Sequence, residues 1–141
     1  MIVYFDTSAL IKLVFDEPGS DVAAELWDRA EAVASSQLIY PEARAAAAAA
    51  HRGSRIDART LRTAVRAIDE LCQELDMIGL DDTLARVAGD LAERHALRGY
   101  DAVHLASAIA VDDPDLVMAT WDRDLATASI EQNHTVVPAR Q

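Results

Sequence analysis

The chain is poor in the residues that small proteins use to staple themselves together. Its one cysteine, Cys72, excludes an intramolecular disulfide. Set among apolar helical neighbours, it reads as a core filler rather than a nucleophile. No apolar run approaches the roughly 18 residues that span a bilayer, and no charged-then-apolar leader opens the chain. A soluble, cytoplasmic protein with no membrane association is therefore expected. Four prolines and five glycines in 141 residues leave no linker, repeat or low-complexity stretch. The expectation is a single domain over residues 1–141, long enough to bury a core unaided.

Lysine is nearly missing as well. The thirteen basic residues are twelve arginines and Lys12, set against 24 acids for a net charge of -11. That sum excludes capture of nucleic acid by bulk attraction. Arginine is nonetheless the side chain suited to bidentate phosphate contacts, so the placement of the arginines matters more than the total.

What is present is an alternation of short apolar runs with helical patterns. Ile2-Val3-Tyr4-Phe5 reads as a strand delivering Asp6 to the start of a helix, Thr7 to Phe15, with Leu10, Ile11, Val14 and Phe15 at helical spacing. Glu17-Pro18-Gly19 breaks it, and Ser20 or Asp21 can cap a helix to Arg29. Ala32 to Ser35 is a second strand. A helix then begins around Leu38 to Pro41, carries Glu42 in its first turn and runs through the alanines Ala45 to Ala50 to Gly53. The alanine run fits a tightly packed internal helix and a partner surface equally well.

Leu61, Val65, Ile68, Cys72 and Leu75 mark a long amphipathic helix from Asp57, with Arg55, Arg59, Arg62 and Arg66 recurring along another face. That basic stripe suits a solvated face or a phosphate track. Asp76 to Leu80 reads as a strand, followed by a helix capped by Asp81 or Asp82 and ended near Gly99. Tyr100-Asp101 opens the next helix, stopped by Asp112-Asp113-Pro114. Leu116 to Thr120 is a strong strand, Asp122 opens a helix to Gln132, and Thr135-Val136-Val137 closes the chain. This order predicts an α/β fold of three layers, with a central, mainly parallel sheet of four or five short strands.

Parallel strands joined by right-handed crossovers bring their C-terminal ends to one edge. Asp6 and Asp122 lie just past strands, and Glu42 and Asp101 lie in the first turns of helices. Each alone reads as a cap or a first-turn acid. Together they present a cost. Carboxylates about 4 Å apart repel by roughly 4 kcal/mol per pair at an effective dielectric near 20, and several such pairs rival a domain's whole stability of about 5–15 kcal/mol. Helix N-termini and raised pKa values offset part of this, and a divalent cation would offset most. Oxygen ligands without cysteine or histidine select hard cations, so Mg²⁺ is expected, with Mn²⁺ able to substitute.

Four blocks carry a resemblance: Asp6-Thr7-Ser8-Ala9-Leu10 behind its strand, Pro41-Glu42 at a helix start, Tyr100-Asp101-Ala102-Val103-His104-Leu105-Ala106, and Ala119-Thr120-Trp121-Asp122-Arg123-Asp124. In this order the chain resembles, over essentially its full length, the PIN domain, specifically the VapC-type toxins of bacterial toxin–antitoxin pairs. The resemblance implies a Mg²⁺-dependent endoribonuclease that forms a homodimer and is neutralised by a cognate VapB-like antitoxin. It places the acidic quartet on Asp6, Glu42, Asp101 and Asp122, with Asp6, Asp101 and Asp122 as metal ligands and Glu42 completing the shell or positioning water. Thr120 and Thr7 or Ser8 match the family's hydroxyls, and Asp124 is a further acid. His104 reads as a packed or backbone-bonded histidine, and Trp121 as an anchor or a stacking platform. Arg44, Arg55, Arg59, Arg62 and Arg66 are the expected RNA-backbone contacts.

Two rival readings remain from the residues. An aspartate-based phosphatase would want a second aspartate two places after Asp6, where Ser8 stands, and a receiver-like domain a late lysine, where the chain has only Lys12. A non-catalytic protein-binding module would use the acids as helix caps alone.

Overall fold

The computed structural model describes residues 1–139. Five strands, β1 (Ile2–Phe5), β2 (Ala32–Ser36), β3 (Asp76–Ile78), β4 (Val117–Ala119) and β5 (Thr135–Val137), form one sheet in the order β3-β2-β1-β4-β5. Every pairing is parallel. Seven helices connect them: α1 (Thr7–Val14), α2 (Ser20–Arg29), α3 (Ile39–Arg52), α4 (Ala58–Glu74), α5 (Asp82–His95), α6 (Gly99–Ala110) and α7 (Arg123–Glu131). The elements match the sequence reading to within one or two residues except at the end of α5, which stops at His95 with Ala96 in the left-handed conformation, so that Gly99 opens α6 instead of ending α5. Among the described residues no helix is long and apolar enough to cross a membrane.

The two-residue period of β1 divides the core. Val3 and Phe5 pack with residues of α1, α2, α3 and α4 on one face. Tyr4 points the other way, into a cluster with Ala108 of α6 and Ala126 of α7, while α5, α6 and α7 share a further cluster built on Leu91, Leu105 and Leu125. The result is the expected three layers. Leu105 is fully buried, so truncating it to alanine should cost about 2–5 kcal/mol.

The alanine run of α3 packs into the core on one side and is open on the other. Ala43 and Ala47 are buried against α1 and α4, whereas Ala46 and Ala50 line a surface hollow with Ile11, Phe15 and Ile56. Cys72 is partly buried in the packing of α4, and burial pushes its thiol up, as befits a core filler.

The strand order locates the site. From β1 the chain winds outward to β2 and β3, then returns to the other side of β1 to build β4 and β5. The crevice beyond the C-terminal ends of β1 and β4 is therefore a switch point, the position where open α/β sheets place ligands. Register brings the parts level: Phe5 pairs with Ala119, so Asp6 and Thr120 are the next residues out, and the Asp6 N–H donates to the Ala119 carbonyl at 3.3 Å.

Candidate active site

Asp6, Thr7, Ser8, Glu42, Arg98, Tyr100, Asp101, His104 and Asp122 line one cavity of about 210 Å³ at this edge. All four acids of the expected quartet are present, from β1–α1, α3, α6 and the β4–α7 junction. Asp6 is the most enclosed. Its Oδ1 accepts the Ala9 N–H at 2.9 Å, which caps α1, and the Ser8 hydroxyl at 2.7 Å; its Oδ2 accepts the Thr120 hydroxyl. Burial nevertheless pushes its carboxyl above the usual range; His104, Thr120, Ser8 and the Ala9 N–H pull only partly against that.

The hydroxyls expected near the acids hold the two ends of the chain together. Thr120 Oγ1 accepts the Asp122 N–H at 3.0 Å, and Ser8 Oγ accepts the Trp121 N–H at 2.8 Å. Asp122 also caps α7, accepting the Leu125 N–H at 2.9 Å. Thr7 turns to a different acid and donates to Glu42 Oε1 at 2.8 Å.

Glu42 is held by more than Thr7. His104 Nε2 lies 2.7 Å from the same Oε1, and His104 Nδ1 lies 2.8 Å from the Tyr4 hydroxyl. A carboxylate offers only acceptors, so Nε2 carries its proton toward Glu42. His104 and Tyr4 are both buried, and their rings meet edge to face. The histidine is thus packed, one of the two readings expected, and it is bonded through side chains at both nitrogens rather than through the backbone. Burial also pushes the Tyr4 hydroxyl far up, keeping it a neutral hydrogen-bonding group. Sequence reading missed Tyr4. Its signal was the two-residue strand period, which sets it on the face opposite Val3 and Phe5.

Arg98 was also missed. It precedes α6 and spans two acids: Nε donates to Asp101 Oδ2 at 3.0 Å, and Nη2 lies 3.0 Å from both Asp101 Oδ2 and Asp122 Oδ2. Its guanidinium also stacks over the Tyr100 ring, 4.7 Å from the centroid. Burial and then the Asp122 charge push the Asp101 carboxyl up, against the opposing pull of Arg98. The three-residue step from Arg98 to Asp101 across a helix start was the available signal.

Other expected residues lie apart. Asp124 is exposed in the first turn of α7 and does not line the cavity. Trp121 anchors rather than stacks. Its indole abuts Gly19, where a Cβ would stand 2.8 Å from the ring nitrogen, and Lys12 covers its face at 5.4 Å. Lys12 also pairs with Glu17, so it does not supply the lysine of a receiver-like site. Arg44 binds the Tyr40 hydroxyl at 2.8 Å, and that hydroxyl donates to Asp69 of α4 at 2.7 Å.

The basic stripe lies outside the acidic cavity. The Tyr40–Asp69 bond sets the start of α3 beside the later part of α4, whereas Arg55 lines a hollow with Ala46 and Ala50, toward the other end of α3. Glu42 and Arg52 are separated by roughly 15 Å at 1.5 Å per residue. Arg55, Arg59, Arg62 and Arg66 are exposed and none lines the acidic cavity. Arg55 lies in the turn before α4, so only Arg59, Arg62 and Arg66 share its helical spacing, and Arg66, within one turn of Asp69, lies at the end of α4 beside the start of α3.

The donor set suits a hard divalent cation, since its acids supply carboxylate oxygens. The Asp101 and Asp122 oxygens already converge on one cationic nitrogen of Arg98. Among the described residues, however, no three acid, histidine or cysteine side chains are close enough to hold one ion as they stand. The residues fit in kind, and Arg98 and His104 set their present spacing.

Comparison with known proteins places this arrangement in a family. A model of the PIN domain matches residues 3–130. Ribonuclease VapC45 and Ribonuclease VapC49, from Mycobacterium tuberculosis strains CDC 1551 / Oshkosh and ATCC 25618 / H37Rv, are each 48% identical over 139 residues, covering 99% of this chain and 96% of the relative. The crystal structure of PAE2754 from Pyrobaculum aerophilum superposes with a TM-score of 0.72 at 23% identity, covering 97% of this chain and 84% of that one. A toxin–antitoxin complex from Klebsiella pneumoniae contains a chain with a TM-score of 0.60 at 24% identity, over 88% of this chain and 90% of its own. With its parallel sheet, its four convergent acids and these likenesses, the chain belongs to the PIN-domain family.

Proposed function

We propose that this chain, as one PIN domain over residues 1–141, is a Mg²⁺-dependent endoribonuclease and the toxin of a toxin–antitoxin pair. The observation that carries the reading is the convergence of Asp6, Glu42, Asp101 and Asp122 from four parts of the chain into one cavity. The near-full-length identity to two proteins named ribonucleases supports the activity. The likeness to a chain of a toxin–antitoxin complex accords with a VapB-like antitoxin partner. A homodimer and a cytoplasmic setting belong to the same proposal.

Asp6, Asp101 and Asp122 would hold the ion, with Mn²⁺ able to replace Mg²⁺. Bound there, the cation would acidify an attacking water, shield the phosphodiester from the carboxylates and stabilise the leaving oxygen. Glu42, held at Oε1 by Thr7 and His104, keeps its second oxygen free to orient that water and accept its proton. Ser8 and Thr120 fix the Asp6 carboxylate so that it does not turn away. Arg44, Arg55, Arg59, Arg62 and Arg66, none of which lines the cavity, would hold the RNA backbone along a longer track.

None of these steps uses the RNA 2′-hydroxyl. Incubating the purified chain with RNA and Mg²⁺ and then mapping the ends should show 5′-phosphate and 3′-hydroxyl termini, with no cleavage in EDTA. Products ending in 2′,3′-cyclic phosphate, or cleavage that persists in EDTA, would overturn the mechanism.

A further inference from the structure

Arg98 occupies the place between two carboxylates that an ion would need. Its Nη2 stands 3.0 Å from one oxygen of Asp101 and 3.0 Å from one oxygen of Asp122. A hard divalent cation takes carboxylate oxygens at about 2.0–2.6 Å, so the arginine spreads the pair slightly wider than an ion would. The two charges are unequal in freedom. The Asp101 side chain is 8% exposed and that of Arg98 61% exposed, so the acid is fixed and the cation is the mobile member. Arg98 lies before the first turn of α6, makes no side-chain cap bond there, and rests on the exposed ring of Tyr100. It can leave without unfolding anything.

We propose that Arg98 is a resident counter-cation: it positions Asp101 and Asp122 in the metal-free chain and is displaced by the incoming divalent ion. This rests on the metal-dependent reading above. The physical logic is competition. Without a positive charge between them, Asp101 and Asp122 repel and the edge of the sheet is destabilised. With Arg98 in place the repulsion is cancelled, at the expense of affinity for the ion, because Arg98 and the ion claim the same oxygens. A displaced arginine remains within one side-chain length of the cavity mouth, where its planar fork matches a phosphodiester. Arg98 is thus a positioning residue whose effect on the reaction passes through the two aspartates.

The test compares Mn²⁺ binding by titration calorimetry, and thermal melting in EDTA and in Mn²⁺, for the wild type and Arg98→Gln. Arg86→Gln serves as a charge control, since Arg86 is an exposed cation paired only with Asp82. Arg98→Gln should melt lower than wild type in EDTA, gain a larger rise in Tm from Mn²⁺, and bind Mn²⁺ roughly tenfold more tightly, the scale of one charge–charge contact at a partly exposed site. Arg86→Gln should match wild type in all three. Equal Mn²⁺ affinity in wild type and Arg98→Gln overturns this proposal while leaving the metal site standing. Absence of Mn²⁺ binding in both overturns the metal-dependent reading itself. Tighter binding in Arg98→Gln and Arg86→Gln alike reduces the effect to net charge and overturns the specific role.

Discussion

Asp6 and Asp57 occupy the same local position. Each precedes a helix with extended backbone, and each accepts the N–H three residues on, from Ala9 and from Thr60. Their proton affinities nevertheless move in opposite directions. The cap bonds to Thr60 hold the exposed Asp57 carboxyl below its usual range, whereas burial pushes that of Asp6 above it despite its own cap bond. A cap therefore accounts for Asp57 completely and for Asp6 only in part. What remains at Asp6 is a charge placed at a cost, among other charges, at one end of a sheet. That remainder is what separates a functional acid from a structural one.

The comparison is easiest to break at Asp6 itself. Asp6→Asn should reduce RNA cleavage by about a thousandfold, because several kcal/mol of transition-state stabilisation would depend on the ion proposed to bind there. It should also raise the melting temperature in EDTA by relieving burial of a charge. Asp57→Asn, which keeps a capping side chain, should leave cleavage unchanged and lower the melting temperature slightly, because the charge that strengthens its bonds to Thr60 is lost. A cleavage assay beside a thermal melt decides it, and an unfolded Asp6→Asn would assign Asp6 to structure alone.

A smaller effect should follow from the Tyr4–His104–Glu42 chain. His104→Gln should lower kcat by roughly 10- to 100-fold, the range for losing a group that orients a catalytic partner, with KM for RNA little changed. Tyr4→Phe removes one buried hydrogen bond and leaves His104 Nδ1 without its partner, at a cost of about 1–3 kcal/mol in stability. A denaturant melt measures that loss. An equal loss of kcat and of RNA affinity in His104→Gln would move the histidine from positioning Glu42 to shaping the cavity.

The gentlest probe is pH. Asp6 and Asp101 have raised folded pKa values, so their contribution to metal-free stability is complete below the unfolded value, about 3.9, and is lost as pH rises through the folded values. The stability gap between wild type and an Asp6→Asn/Asp101→Asn chain should therefore widen from about pH 4 toward neutrality. Asp57 has the opposite sign: its contribution is present above the unfolded value and is lost as pH falls through its lowered folded value. Melts in EDTA from about pH 2 to 7 should confine the Asp57 change to below about pH 4 and the Asp6 and Asp101 change to above it, and changes in the same range would erase the distinction.

Much of this could be seen in the sequence, for reasons that are themselves local. Helix starts announce themselves through caps, and strands such as Ile2-Val3-Tyr4-Phe5 through apolar runs, so the order of elements and the four acids at their ends were readable. The failures share one cause. Spacing relates residues within an element, but the long-range partners of an element are fixed only by packing. Arg59, Arg62 and Arg66 were correctly placed along α4, but spacing does not say what that helix packs beside. His104 was correctly placed one turn after Asp101, but its bond to Glu42 crosses from α6 to α3, and its bond to Tyr4 depends on which side of β1 faces α6. Arg98, on the solvent side of a helix start, resembles any surface cation until Asp122 arrives from another strand.

The register that sets Phe5 against Ala119 has a consequence in time. The hydroxyl partner of Asp6, Thr120, and its fellow acid Asp122 lie 114 and 116 positions after it in the chain. Until β4 docks beside β1, the early aspartate has neither its orienting bond nor its companion charge. A growing chain can make β1 and the helices that follow it without assembling the acidic centre, so the proposed cleavage of RNA is withheld until β4 and Asp122 have been made.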